Sequence, residues 1–359
     1  MTSRERVLTA INHREPDRTP VYMTLTPQVA KQLSDYFNFP YEPPVDSLLS
    51  TRISHPKLLT FLGNDCIGIA AAAPDNHPST TDKEGIITNE WGMKFKNSGL
   101  YNEFYMYPLA DADSPDDIYR YPFPDPFSPG RFRKAGETIN NYKDKYAIVA
   151  DLETVIFETS WYLTGLEKFL IDLITEAPYM DKLLDRVMEI NVKTGKHLIE
   201  MGADVLWAGD DFGTQHGMIM DPDLWRKVFK PRIKWMFEEF RKVNPDIKLA
   251  WHSCGSIPEI IPDFIEIGLD ILNPVQPRAK GMDPEFIKEK YGKDLVLFGG
   301  IDLQNLLPYN TPEKIKNEVK KMIGILGKDG GYILAPAHNI QPDTPVENIL
   351  AIFEAVKEG

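Results

Sequence analysis

The sequence predicts an α/β protein built as a (β/α)8 TIM barrel. Eight short apolar or β-branched runs recur along the 359 residues, and segments with helical periodicity lie between them. The runs do not alternate between polar and apolar residues, which is typical of parallel strands covered on both faces. No G-x-G-x-x-G or P-loop sequence follows any run, so a nucleotide-binding doubly wound sheet is less favoured. The predicted strands are 19–25, 65–71, 146–152, 204–210, 248–254, 270–275, 295–301 and 331–336.

Prolines mark where the intervening helices begin. Thr311-Pro312 and Asp221-Pro222 each place a capping side chain before a proline at the first helical position. The helix that follows Pro222 is long, and its interior Pro231 should kink it. Strand–helix alternation repeated around eight strands favours the barrel.

The segment 75–135 interrupts this alternation. Its residues 88–95 predict hairpin strands, and six prolines then predict an extended, non-helical path. The segment is either an insertion between strands two and three that covers part of the barrel mouth, or a solvent-facing decoration. The predicted organisation is one domain, 1–359, with 75–135 as an inserted hairpin and proline-rich cover. The six prolines are Pro108, Pro115, Pro122, Pro124, Pro126 and Pro129.

Composition and charge exclude several classes of function. Hydrophobic residues make up 42% of the chain and charged residues 26%, as in a folded soluble protein. The formal net charge of −13 repels phosphate backbones, so we expect no nucleic-acid partner. The longest nearly apolar stretch, 66–74, is too short for a membrane span. With two cysteines, far apart, and no apolar leader at the start, the expected location is the cytoplasm.

Residues at the ends of two predicted strands could form a metal site. His252 and Cys254 lie two residues apart, so their side chains project to the same side of strand five. His338, near the end of strand eight, could complete a set of three from across the barrel mouth. One thiolate and two imidazoles with an open fourth position would suit a catalytic Zn²⁺ ion. The plainer alternative is a small buried cysteine and hydrogen-bonded core histidines.

Acidic residues at strand ends are the candidate catalytic groups. Asp210 and Asp211 are adjacent, so they should point in opposite directions, and Asp211 is expected to face the mouth and act as an acid. Either aspartate could instead cap the following turn. Four residues are predicted to bind substrate: Glu153, Trp161, Trp207 and Asp302. A helix cap for Asp302 and core packing for the tryptophans are the alternatives.

Four blocks of the sequence carry a resemblance to a known family. Residues 4–8 and 12–21 resemble the start of proteins in the uroporphyrinogen decarboxylase superfamily, and so do 252–256 (H-S-C-G-S) and 335–340 (A-P-A-H-N-I). The resemblance implies a (β/α)8 barrel over nearly the whole chain. It also implies one of two activities: porphyrinogen decarboxylation, or zinc-dependent methyl transfer with a corrinoid protein.

The details of the resemblance favour the methyltransferase branch. Decarboxylases bind their substrate carboxylates with an R-Q-A-G-R motif after the first strand, whereas residues 23–28 here contain no arginine. The methyltransferases carry a His-x-Cys on strand five, matched by His252 and Cys254. Their third zinc ligand is commonly a cysteine, and His338 stands at that position. A carboxy-lyase and a non-catalytic binding barrel remain the alternatives.

The ligand change suggests a direction for the reaction. With one thiolate the zinc ion would act as a Lewis acid on a small methylated, possibly O-methyl, substrate, and the methyl group would pass to a corrinoid. No D-x-H-x-x-G cobalamin motif is complete in the chain. The expected cofactors are therefore Zn²⁺ and a cobalamin-type corrinoid that is supplied by a separate partner protein.

Overall fold

The structure is a computed structural model that describes residues 1–45, 53–99 and 102–358. The strands in chain order are β1 (Cys66–Ile69), β2 (Thr80–Thr81), β3 (Ile86–Thr88), β4 (Lys94–Asn97), β5 (Asn102–Met106), β6 (Ala147–Thr154), β7 (Val205–Gly209), β8 (Lys248–His252), β9 (Ile271–Val275), β10 (Val296–Ile301) and β11 (Tyr332–Pro336). The helices are α1 (Ser3–Ile11), α2 (Pro27–Tyr36), α3 (Pro56–Leu62), α4 (Pro115–Arg120), α5 (Arg133–Tyr142), α6 (Phe157–Thr164), α7 (Leu166–Ile174), α8 (Met180–Glu200), α9 (Pro222–Val228), α10 (Lys230–Val243), α11 (Ile261–Glu266), α12 (Pro284–Tyr291), α13 (Leu306–Tyr309), α14 (Pro312–Leu326) and α15 (Val346–Glu358).

A curled parallel sheet of seven strands forms the centre of the fold. Its order, β1-β6-β7-β8-β9-β10-β11, follows the chain, and every neighbouring pair is parallel. These strands match seven of the eight predicted runs, and helices connect most of them. The α/β class and the parallel sheet are therefore confirmed, and the architecture is consistent with a TIM-like barrel.

The prediction of a continuous first strand over residues 19–25 is wrong. Two isolated parallel bridges join this segment to β11 and to the residues just beyond it, Val21 with Leu334 and Leu25 with Ile340. The segment nevertheless connects the two edges of the sheet, because the carbonyl of Val21 also accepts a hydrogen bond from the amide of Asp65, just before β1.

Side chains replace the missing strand ladder on the β1 side. The backbone amide of Val21 donates to Asp65 Oδ2 at 2.9 Å, and that of Met23 donates to Asn64 Oδ1 at 3.0 Å. Asp65 is completely buried and also pairs with Arg6 and Arg18 at 2.7 and 2.8 Å. This ion cluster holds the N-terminal segment against the sheet.

The segment 75–135 contains a small sheet of its own. Strands β2 to β5 pair antiparallel in chain order, which confirms the hairpin predicted at 88–95. Asn89 closes that hairpin, because its Oδ1 accepts from the amides of Trp91 and Met93. The prediction of a wholly non-helical path is wrong: α4 begins at Pro115, where a proline at the first position sacrifices no helical hydrogen bond.

The predicted single long helix with a kink at Pro231 is replaced by two helices that separate just before this proline. Helix α9 ends at Val228 and α10 begins at Lys230, so Pro231 lies in the first turn of a new helix. Thr311 caps α14 as expected, since its side chain accepts from the amide of Lys314.

The two faces of the main sheet form two separate apolar clusters. The larger lies between the strands and the helices, and the smaller is built from alternate strand residues such as Trp207 and Phe298 together with Tyr22. Trp207 also contacts the ring of His252, so the smaller cluster supports the strand ends where polar residues gather. Within the described ranges, no helix is both long and apolar enough to cross a membrane.

Replacing Asp65 tests the importance of the ion cluster. Asp65→Asn should lower the free energy of unfolding by about 3 kcal/mol, because Arg6 and Arg18 both lose the buried carboxylate, although Arg6 keeps its second partner, Asp17. Urea denaturation followed by circular dichroism measures the change. Asp35→Asn, which removes an exposed pair with Lys31, is the matched control and should cost under about 1 kcal/mol. Equal effects of the two substitutions would contradict this role.

Candidate metal centre

The register of three parallel strands fixes the position of His252. On one side His252 pairs with Gly209 of β7, and on the other with Asn273 of β9. A Cβ atom at position 209 would lie 2.7 Å from the Cβ of His252, so only glycine allows this approach. The imidazole therefore stands at the carboxyl end of β8, where parallel sheets of this kind build their sites.

Cys254 and Asp211 bring two further donor atoms to the imidazole. Cys254 Sγ lies 3.4 Å from His252 Nε2, and Asp211 Oδ1 lies 3.6 Å from the same nitrogen. Asp211 Oδ1 also accepts a hydrogen bond from the backbone amide of Cys254 at 2.7 Å. The three donor atoms all lie within 4.8 Å of one another, which is close enough to share one ion.

Asn273 sets the orientation of the imidazole. Its Oδ1 lies 2.5 Å from His252 Nδ1, and an amide oxygen only accepts, so Nδ1 carries the hydrogen. The lone pair of Nε2 is then directed toward Cys254 and Asp211. The indole of Trp207 stacks on the imidazole ring, with centroids 5.9 Å apart and planes at 24°.

Asp211 is held in place through Glu158. Glu158 Oε2 accepts from the amide of Asp211 at 2.9 Å, and Glu158 Oε1 accepts from the hydroxyl of Tyr162 at 2.8 Å. Burial raises the pKa of Tyr162, and the charge of Glu158 raises it further, so the hydroxyl remains a donor. The carboxylate of Glu158 thereby fixes the backbone that carries Asp211.

Asp210 points away from the donor group. It is fully buried and accepts hydrogen bonds from the amides of Ile156 and Glu158, at the start of α6. Burial raises the pKa of Asp210, and the negative charge of Glu158 raises it further. The two adjacent aspartates thus have different surroundings, with Asp211 beside His252 and Asp210 beneath the helix.

His338 lies near this group but outside it. The rings of His338 and His252 have centroids 6.2 Å apart. The compact set of donors contains Asp211 in place of His338. His338 and Cys254 line the same neighbouring cavity, of about 380 Å³. The role of His338 as a ligand stays a prediction.

The four predicted substrate-binding residues do not gather in one place. Asp302 lines the cavity beside Cys254, and its Oδ1 also accepts from the amide of Gln304, in the turn before α13. Trp207 stacks against the ring of His252. Glu153, in a left-handed conformation with φ of 56°, lines a different cavity of about 90 Å³. Trp161 packs on Phe104 of the small sheet.

Sequence reasoning missed Asn273 and Glu158. Asn273 is the one polar residue of the apolar run 271–275, and that break in pattern is a signal that could have found it. Glu158 carries no such signal, since an acidic residue in the first turn of a helix is common. The other cysteine, Cys66, is buried and burial raises the pKa of its thiol, which makes it a packed side chain.

The residue types present suit a zinc ion. Thiolate, imidazole and carboxylate are all zinc donors, and three protein ligands leave a fourth position open for chemistry. The hydrogen bond from His252 Nδ1 to Asn273 is the outer contact that metal-binding histidines usually make. The fold and this donor group define a parallel-sheet α/β protein with a candidate metal centre at the strand ends.

Comparison with known proteins identifies the family. The uroporphyrinogen decarboxylase (URO-D) family matches residues 108–359, which is more than half of the chain, and the protein belongs to this family. The chain is 23% identical over 210 residues to a methylated-thiol–coenzyme M methyltransferase of Methanosarcina mazei, covering 58% of this chain and 53% of the relative. It is 26% identical over 200 residues to a methylcobamide:CoM methyltransferase of Methanosarcina barkeri, covering 55% and 54%.

Decarboxylases and a solved structure are also similar. The uroporphyrinogen decarboxylase of Chlorobium limicola is 27% identical over 165 residues, covering 45% of this chain and 43% of the relative. The chain thus spans about half the length of the curated relatives it matches. A methyltransferase structure from Methanosarcina mazei covers 100% of this chain and 99% of its own, with a TM-score of 0.69 and 22% identity. At that identity, the structural likeness establishes the fold alone.

The two cysteines allow a matched test of the metal centre. Cys254→Ala should reduce bound zinc to the background level, because it removes the thiolate of the donor group. Cys66→Ala should leave the zinc content unchanged, because Cys66 lies in the apolar cluster. Mass spectrometric metal analysis after dialysis against zinc measures both. Full zinc occupancy in the Cys254 variant would contradict the assignment.

Asn273 should tune the metal affinity without binding the ion. Asn273→Ala frees the imidazole of His252, so zinc affinity should fall about 10–100-fold. Competition with a chromophoric chelator measures the affinity. Asn317→Ala, at an exposed position of α14, is the control and should leave it unchanged. The interpretation fails if both variants bind zinc as the parent protein does.

Proposed function

We propose that the protein is a methyltransferase that moves a methyl group from a small methylated compound to a corrinoid on a separate protein. The observation that carries this proposal is the compact donor group of Asp211, His252 and Cys254 at the strand ends. The two methyltransferase relatives support it, since one is named for methylcobamide and the other for a methylated thiol.

Zinc is the metal we propose for the donor group, with Asp211, His252 and Cys254 as its ligands. A bound zinc ion would supply Lewis acidity toward the atom that releases the methyl group. Asn273 orients His252, and Glu158 holds the backbone of Asp211. A ligand role for Asp211 replaces the role of proton donor that the sequence suggested for it. His338 is the second candidate for third ligand.

A donor set with one thiolate favours demethylation. A carboxylate or imidazole gives zinc less electron density than a second thiolate would, so the ion remains a stronger Lewis acid. That character suits a methyl group bound to oxygen. One relative, in contrast, is named for a methylated thiol, so a methyl group bound to sulfur is the second candidate.

A decarboxylase activity is the alternative, because decarboxylases also match part of the chain. A porphyrinogen with eight carboxylates needs many cationic partners. Residues 23–28 contain no arginine, and Arg278 is the single lysine or arginine among the residues that line the cavity beside Cys254. The charge of the cavity therefore favours methyl transfer over decarboxylation.

The segment 75–135 is proposed to act as a cover in one barrel domain, inserted between its second and third strands. Glu90 and Trp91 of the segment line a cavity together with Glu153, at the end of β6. A corrinoid protein would dock near this segment and the strand-end loops. We further propose a cytoplasmic protein with neither a membrane nor a nucleic-acid partner, as its charge of −13 suggests.

A methyl-transfer assay tests the proposal. Zinc-loaded protein, a reduced corrinoid protein and a panel of aryl methyl ethers and matched thioethers should yield methylcobalamin, detected by its absorbance change. The His252→Ala variant should lose at least about 100-fold of the rate, since an essential ligand is removed. Faster turnover of thioethers would reverse the preference for oxygen. Porphyrinogen decarboxylation by the metal-free protein, with no methyl transfer, would overturn the proposal.

A further inference from the structure

The cavity beside Cys254 has a distinct chemical character. Its volume of about 380 Å³ suits a small organic molecule. Leu303 and Ala337 contribute apolar surface, and His338 and Cys254 lie on its wall. Arg278 is the basic residue of its lining and Asp302 is the acidic one. These two side chains therefore decide whether the cavity favours an anionic or a cationic ligand.

The loop that carries Arg278 is fixed on both sides of that residue. Gln276 Oε1 accepts from the amide of Gly255 at 2.8 Å, which ties the loop to the residue after Cys254. Two positions after Arg278, the carbonyl of Lys280 accepts from Ser256 Oγ at 2.6 Å. The backbone amide of Lys280 donates to the carbonyl of Gln215 at 3.0 Å. The guanidinium is therefore presented from a rigid support close to the candidate metal centre.

The guanidinium of Arg278 has hydrogen-bonding capacity to spare. Its nearest acidic partner in the described part of the chain is Asp302, with 3.9 Å between Nη1 and Oδ2, which is too long for a hydrogen bond. The other oxygen of Asp302 is occupied by the amides of Gln304 and Asn305. About half of the Arg278 side chain is exposed, so its fork of donors can receive a planar anion.

We propose that this cavity binds the substrate through a carboxylate held by Arg278, so that the methyl donor is a small methylated carboxylic acid. That the bound acid donates a methyl group rests on the proposed function. The binding of the acid does not, because it can be measured without turnover. The apolar wall of Leu303 and Ala337 receives the body of the molecule. Its methyl-bearing end then lies on the Cys254 side of the cavity.

Isothermal titration calorimetry with matched probes tests the inference on protein with and without zinc. The probes are para-methoxybenzoate, its neutral amide and its cationic amidine, which share one shape. The acid should bind roughly tenfold or more tightly than the amide, as expected for a charge-assisted bidentate contact, and the amidine should bind more weakly than both.

A pair of variants in the same loop assigns the effect to one side chain. Arg278→Gln should weaken binding of the acid about tenfold and leave the amide unchanged. Lys280→Gln removes the same charge two residues away, where the side chain is exposed and outside the cavity wall, and should change neither. Circular dichroism of both variants verifies that they fold.

The outcomes separate this inference from the proposed function. Equal binding of acid and amide, tighter binding of the amidine through Asp302, or no effect of Arg278→Gln would each overturn the inference. Methyl transfer from neutral ethers alone would overturn it and leave the proposed function standing. Binding of the acid through Arg278 without any methyl transfer would support the inference and contradict the proposed function.

Discussion

The parallel register of β7, β8 and β9 is the constraint on which the candidate site depends. It places His252 between Gly209 and Asn273. Gly209 has no side chain to collide with His252, and Asn273 supplies a hydrogen-bond acceptor. A shift of one residue in β8 would turn His252 to the opposite face of the sheet. The direction of a single imidazole is thus a consequence of backbone hydrogen bonds along three strands.

The surrounding network separates two chemically identical neighbours. Asp210 is buried and accepts hydrogen bonds from amides at the start of α6, and burial raises its pKa. Asp211 lies beside His252, and its Oδ1 accepts from the amide of Cys254. Glu158 participates in both arrangements through its backbone and its side chain. These contacts hold the donor atoms in a defined arrangement.

Family membership and local chemistry inform different levels of the conclusion. The match to the uroporphyrinogen decarboxylase family covers most of the chain, and the proteins similar to the chain include both methyltransferases and decarboxylases. Choosing between these activities depends on individual residues: a cysteine next to a histidine, and a cavity with one guanidinium where a porphyrinogen would need many. The fold alone does not make that choice.

Seven strands of the sheet, and the pairing of His252 with Cys254 at the carboxyl end of β8, could be predicted from the order of residues alone. These features depend on local periodicity, which a chain carries in its own order of residues. Folding brings Asp211 into one compact donor group with this pair, and it places Asn273 where it orients the ring of His252. It also replaced the predicted first strand with contacts from the side chains of Asn64 and Asp65. Distances between the ends of different strands depend on how their loops fold against one another, and periodicity contains no information about that.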